Sequence, residues 1–162
     1  MQVSVIGSGE IREKFIEDIC TELGELLAEN GFIVLCGGLG GVMEAVSRGV
    51  KKKGGITVGI LPGSSSQDAN PYIDIKIVTA MSHARNAILV RSGDVVISVS
   101  GGAGTLSEIA LAVNSRKEVI AIESSGGISK EFAGKEINGQ KIHRARDAKE
   151  AVDIALRIVR SK

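Results

Sequence analysis

The sequence has no tryptophan, one tyrosine, three phenylalanines, two prolines and two cysteines among its 162 residues. Phe15, Phe32, Phe132 and Tyr72 are too few and too scattered to form the stacking platforms on which single-stranded nucleic acids are usually held. An excess of charge of one sign is also missing. The 20 basic residues face 19 acidic ones, so no basic footprint marks a nucleic-acid or anionic-lipid surface. Cys20 and Cys36 stand alone, without the paired spacing of a zinc or disulfide site. Cys36 lies in an apolar run and reads as a small buried hydrophobe. No apolar stretch approaches the ~20 residues of a membrane-spanning helix, and Met1 leads directly into a strand pattern. The expectation is a soluble, cytoplasmic protein forming one domain over residues 1–162, with no nucleic-acid partner, no metal and no resident cofactor.

Familiar nucleotide and nucleophile signatures are absent too. Gly7-Ser8-Gly9 begins a GxGxxG, but Arg12 occupies the third glycine position. No acidic residue ends the second strand to hold a ribose, which argues against NAD. Neither GxxxxGK followed by Ser or Thr nor GxSxG occurs, so P-loop and α/β-hydrolase chemistry drop out.

Glycine, in contrast, is abundant: 21 residues, about twice the typical share of ~7%, gathered in clumps rather than at every third position. Short apolar runs at 2–6, 32–36, 56–61, 74–78, 94–99 and 118–122 predict strands. Between them, 10–29, 42–53, 81–91 and 105–114 carry helical periodicity, and a final helix spans 147–160. The first helix places Phe15, Ile19, Leu23, Leu26 and Leu27 at helical spacing. Residues 124–140 read as a polar, glycine-rich stretch with a tight turn at Asn138-Gly139, and 141–144 as a last short strand. Strands apolar throughout and separated by helices mean an α/β fold of three layers, α/β/α, around a mostly parallel sheet of six to seven strands. In such sheets the ligand crevice lies beyond the carboxyl ends of the strands. The glycine clumps follow strands one, two, three and five, all at that end.

A strand, a glycine-rich turn and a helix N-terminus together favour an anion, because backbone N–H groups and the helix dipole point at it. The candidate phosphate-binding residues are Gly7 and Ser8, then Gly37, Gly38, Gly40 and Gly41, then Gly101, Gly102, Gly104 and Thr105. The competing reading is that these glycines serve tight packing alone. Glu108 and Arg85 are the side chains of interest beside them. Thr105-x-x-Glu108 also fits a capping box, and Arg85 also fits a solvated surface position. His83 and Asn86 read as local hydrogen-bonding residues.

The ordered set Gly37-Gly38-x-Gly40-Gly41-Val42-Met43, Arg85, and Gly101-Gly102-x-Gly104-Thr105-x-x-Glu108 resembles the LOG family, long labelled "possible lysine decarboxylase". That family lies in a Rossmann-like superfamily that includes molybdenum-cofactor carrier proteins and DprA-like DNA-processing proteins. The resemblance covers residues 1–122 and the last helix. It implies phosphoribohydrolase activity, in which a nucleoside 5′-monophosphate loses its base and leaves ribose 5-phosphate. It further implies phosphate held by Gly102, Gly104 and Thr105, catalysis by Arg85 and Glu108, and a homodimer or higher homo-oligomer. A carboxylate suits such chemistry because the sugar passes through an oxocarbenium-like state. An arginine can clamp phosphate or neutralise the departing base. Decarboxylation does not fit, since pyridoxal chemistry needs a Schiff-base lysine and the glycine loops contain none. The chain departs from the LOG pattern at three places: Ser100 replaces the proline of PGGxGTxxE, Asn86 replaces a lysine after the arginine, and Glu44 replaces a glycine after Met43. These departures lie toward the molybdenum-cofactor carriers, for which binding of a phosphorylated ligand without turnover is the alternative.

Overall fold

The computed structural model describes residues 1–161. Its main sheet contains β1 (Gln2–Gly7), β2 (Ile33–Cys36), β3 (Thr57–Leu61), β4 (Ile75–Val78), β5 (Val95–Val99), β6 (Val119–Ile122) and, after a short hairpin of β7 (Glu136–Ile137) and β8 (Gln140–Lys141), β9 (His143–Ala145). The order is β4-β3-β2-β1-β5-β6-β9, and every neighbouring pair is parallel. The helices are α1 (Lys14–Glu29), α2 (Val42–Lys52), α3 (Arg85–Ser92), α4 (Ala103–Asn114), α5 (Gly127–Phe132) and α6 (Ala148–Arg160).

Alternate residues of each strand feed opposite layers, as the two-residue strand period demands. Val3, Val5, Val34, Val95, Ile97 and Ile120 pack under α1, α2 and α6. Ile6, Val58, Ile60, Val96 and Ala121 pack under α3, α4 and α5. Central strands are therefore apolar on both faces, and the sheet is a seven-stranded, Rossmann-like α/β/α fold. Both cysteines are buried and unpaired. Among the described residues no helix is long and apolar enough to cross a membrane.

Several local readings change. The buried stripe of α1 is Ile16, Cys20, Leu23, Gly24 and Leu27, while Phe15 is 53% exposed. The predicted helix over 81–91 starts only at Arg85, after a single 3-10 turn, because Ala80 and Ser82 both take positive φ. Residues 124–140 are less loop-like than their composition implies, since they build α5 and the hairpin. The Asn138-Gly139 turn lies where expected, with φ of 50° and 78°. β4 is an edge strand with all four residues exposed.

Two helical glycines that the loop-centred reading passed over explain part of the glycine excess. A Cβ on Gly24 would fall on the carbonyl oxygen of Val46, and one on Gly49 on that of Thr21. The backbones of α1 and α2 thus touch at reciprocal glycines, which lets the pair sit close on the sheet. Gly49→Ala is expected to destabilise the protein by about 1–3 kcal/mol through overpacking, against the ~1 kcal/mol that alanine gains in helix propensity. A urea denaturation midpoint at or above wild type would contradict this crossing.

Candidate functional site

Strand order reverses between β1 and β5, so the loops leaving their carboxyl ends diverge and open a crevice. A cleft of about 320 Å³ lies there. Gly7, Ser8 and Gly9 form its wall at the end of β1, and Met43 from α2 closes one side. Arg85 and Asn86 enter from the first turn of α3, and Gly102, Gly104, Thr105 and Glu108 line it from the start of α4.

The backbone after β5 makes the anion-seeking part. Ser100 and Gly101 take φ of +52° and +92°, a left-handed bend that delivers Gly102 as the N-cap of α4. A Cβ on Gly101 would lie far inside contact distance of Thr105 Oγ1, so only glycine fits. Among the described residues, the N–H groups of Gly101, Gly102, Ala103, Gly104 and Thr105 find no hydrogen-bond partner. Five consecutive unsatisfied donors at a helix N-terminus form a strong attractor for negative charge.

The side-chain part is a buried ion pair. Arg85 is 8% exposed and Glu108 7%, and Arg85 Nη1 lies 3.8 Å from Glu108 Oε1. Arg85 Nη1 also donates to Asn86 Oδ1, whereas its Nε is buried without a partner. Burial pushes the Glu108 carboxyl up to about 7 against the opposing pull of Arg85. Burial likewise lowers Arg85 from its usual value, opposed by the Glu108 charge. A carboxyl balanced near neutrality beside a guanidinium is equipped for proton transfer at physiological pH.

The cleft thus brings together Gly7, Ser8, Arg85, Gly102, Gly104, Thr105 and Glu108. Gly101 turns with Ser100 toward a neighbouring groove of about 470 Å³ across the Ser8–Gly102 ridge. The clump after β2 behaves differently from the phosphate-loop expectation. Gly37, Gly38, Gly40 and Gly41 do not line the cleft, and the Val42 N–H at the start of α2 already donates to the Ser8 carbonyl at 2.9 Å. Gly37 instead clears a slot for the arginine: a Cβ there would lie 2.5 Å from Arg85 Nη2 and 2.6 Å from Met43 Sδ. Gly38 is pressed against Leu61, and Gly41 against the backbone of Ser8 and Gly9.

Two bland alternatives also fall. The capping box is not formed, because Gly102 is the N-cap and no side chain caps α4; Thr105 and Glu108 sit inside the helix. Arg85 is not a solvated surface residue. His83, Asn86, Met43 and Gly9 line the cleft without having been marked as site residues. For Gly9 the signal was its membership of the Gly7-Ser8-Gly9 run, and for Met43 its place beside the second clump.

The Glu108 carboxyl titrates near 7 when folded against 4.5 when free. Between those values the unfolded chain holds fewer protons, so stability falls as pH rises from 4.5 to 7, and the full cost is present above 7. Glu108→Gln removes the ionisation. It is expected to raise stability at pH 8 by up to about 3 kcal/mol, with the gain vanishing near pH 4. Denaturant titrations of both proteins at the two pH values check this, and a difference independent of pH would contradict it.

Known proteins share this architecture. The SLOG cluster4 family model matches residues 1–152. A protein of Archaeoglobus fulgidus is 50% identical over 123 residues, spanning 76% of this chain and 80% of its own length. The cytokinin riboside 5′-monophosphate phosphoribohydrolase LOG of Oryza sativa subsp. japonica is 35% identical over 107 residues, 64% of this chain and 44% of that enzyme, so the chain matches less than half of LOG's length. Among solved structures, the molybdenum cofactor binding protein of Rippkaea orientalis superposes with a TM-score of 0.88 at 37% identity, covering 98% of this chain and 96% of that one. The molybdenum cofactor carrier protein of Chlamydomonas reinhardtii gives 0.87 at 30% identity, covering 98% of both. The resemblance to LOG-like proteins and the Rossmann-like fold that it implied are both matched, and the chain belongs to the SLOG cluster4 family.

Proposed function

We propose that the cleft binds a nucleoside 5′-monophosphate by its phosphate and hydrolyses the N-glycosidic bond, releasing the free base and ribose 5-phosphate. The observation that carries this reading is the juxtaposition, at one cleft, of the unpaired N–H groups at the start of α4, Gly102–Thr105, and the buried Arg85–Glu108 pair. The phosphate sits at the N-terminus of α4, where charge and donors converge. Glu108 lies deeper along the same helix, so a sugar anchored through its 5′-phosphate presents C1′ toward the carboxylate. As the C1′–N bond breaks, its electron pair leaves with the base and positive charge develops on the sugar. Ionised Glu108 stabilises that charge and accepts a proton from the attacking water, whose oxygen bonds to C1′. That proton then passes through solvent to the nitrogen of the departing base, which leaves as the neutral base and returns Glu108 to its ionised form. Arg85 opposes the upward shift that burial imposes on Glu108, so that a share of it is ionised at neutral pH, and offers positive charge to the departing base.

A second reading has its own support. The likeness to molybdenum-cofactor proteins runs over 98% of the chain, that to LOG over 64%. A carrier would use the same N–H groups for a phosphorylated pterin and break no bond. Self-association, which the LOG resemblance implies, belongs to the proposal in either form. Ile75, Ile77 and Val78 of β4 and nearby Met81 leave apolar surface open to it.

Incubation with AMP, GMP, CMP and UMP, followed by quantification of free base, separates the two. The hydrolytic reading predicts base release with kcat/KM rising through about pH 7 as Glu108 ionises. It also predicts a loss of kcat of about 100-fold or more in Glu108→Gln, with nucleotide binding retained. Binding without release of base would overturn hydrolysis and leave the carrier reading standing.

A further inference from the structure

Three buried serines hold the bend that precedes α4. Ser98 on β5, Ser125 just before α5 and Ser129 within α5 are all 0% exposed. Ser129 Oγ donates to the Ser100 carbonyl at 2.8 Å and lies 2.6 Å from Ser98 Oγ. A hydroxyl carries one proton, so Ser98 is the donor to Ser129. Ser125 Oγ accepts from the Ser100 N–H at 2.7 Å and donates to the Ile122 carbonyl at 2.6 Å. The N–H groups of Ile128 and Ser129 complete the set by donating to the carbonyls of Gly101 and Ser100 at 3.0 and 3.1 Å.

The carbonyl oxygens of Ser100 and Gly101 are therefore both drawn toward the start of α5. In a trans peptide the C=O and the following N–H point in opposite directions. Holding these two oxygens inward turns the N–H groups of Gly101 and Gly102 outward, where no protein acceptor meets them.

We propose that Ser125 and Ser129 are positioning residues for the anion site: they fix the Ser100 backbone on both sides, Ser125 at its N–H and Ser129 at its carbonyl, and so set the bend from which the Ile128 N–H, holding the Gly101 carbonyl, aims the Gly102 donor into the cleft. This rests on the phosphate-binding reading of the cleft. It also gives the Ser100 departure a physical meaning. Proline is confined to φ near −65° and has no N–H, whereas Ser100 adopts φ +52° and donates to Ser125. The chain holds this bend with buried hydroxyls, in a conformation that the ring found at this position of the LOG pattern cannot enter. Ser98 stands one step behind, fixing the Ser129 hydroxyl.

Calorimetric titration with inorganic phosphate and with AMP tests the assignment, using wild type, Ser129→Ala, Ser100→Pro and Val152→Ala. Val152 is buried in α6 on the opposite face of the sheet and serves as a destabilised control. Ser129→Ala is expected to weaken both ligands about tenfold, the effect of losing one oriented hydrogen-bond partner, and Ser100→Pro at least as much. Val152→Ala should bind like wild type despite its lower melting temperature. Phosphate should shift the amide resonances of Gly102–Thr105 in wild type, and in Ser129→Ala about tenfold more phosphate should be needed for the same shifts. Wild-type affinity in Ser129→Ala overturns the assignment even if Ser100→Pro does not fold. Equal losses in Ser129→Ala and Val152→Ala overturn it too, by reducing the serine to a general structural role. If wild type binds neither phosphate nor AMP, the phosphate reading of the cleft fails, and this inference with it.

Discussion

β1 is hydrogen-bonded to β2 on one side and β5 on the other, and the strands beyond run outward in opposite order. The loops that leave β1 and β5 are thereby forced apart, and the gap between them cannot be filled by a further strand. What the gap receives is backbone: the Gly7–Gly9 turn on one wall and the Ser100–Gly102 bend on the other. At the N-terminus of α2 the Val42 N–H is taken by the Ser8 carbonyl, whereas at the N-terminus of α4 the N–H groups of Gly102–Thr105 meet no protein acceptor. Of the two similar glycine clumps that converge on this edge, the one before α4 is the one that lines the cleft with Arg85 and Glu108.

The chemistry in the cleft has a cost in stability. Arg85 and Glu108 are both withdrawn from water, at a separation too long for a direct hydrogen bond, so each is desolvated more than its partner compensates. Glu108 registers this as a carboxyl raised to about 7. Gly37 belongs to the same arrangement, since the space it leaves empty is the space the guanidinium occupies. Through Gly37 the second glycine clump thus contributes the slot that seats Arg85.

The fold could be read from the chain because its signals are local. Apolar strands between helices predict a covered parallel sheet, and Asn138-Gly139 predicts its own turn. Arg85, Glu108 and Gly102–Thr105 were accessible through a recognisable spacing. What escaped is what depends on residues distant in sequence. Phe15 lies outside the buried stripe of α1 because Gly24 faces α2, which the helical spacing of one segment does not reveal. Gly37–Gly41 looks like Gly101–Thr105 as text, yet Gly37 makes room for Arg85 and Gly41 packs on the Ser8–Gly9 backbone, while Gly102, Gly104 and Thr105 line the cleft. Ser98, Ser125 and Ser129 form no motif and meet only when β5, the turn after β6 and α5 are brought together.

The central claim is that the N-terminus of α4 receives phosphate while Arg85 and Glu108 face the rest of the ligand. A crystal structure of the protein with AMP bound addresses it most directly. The account predicts phosphate oxygens within hydrogen-bond distance of the backbone N–H groups of Gly102–Thr105, with the ribose C1′ facing the Glu108 carboxylate. Phosphate bound instead at Gly37–Gly41, or in the basic groove of about 570 Å³ lined by Lys141, Arg144 and Arg157, would contradict it.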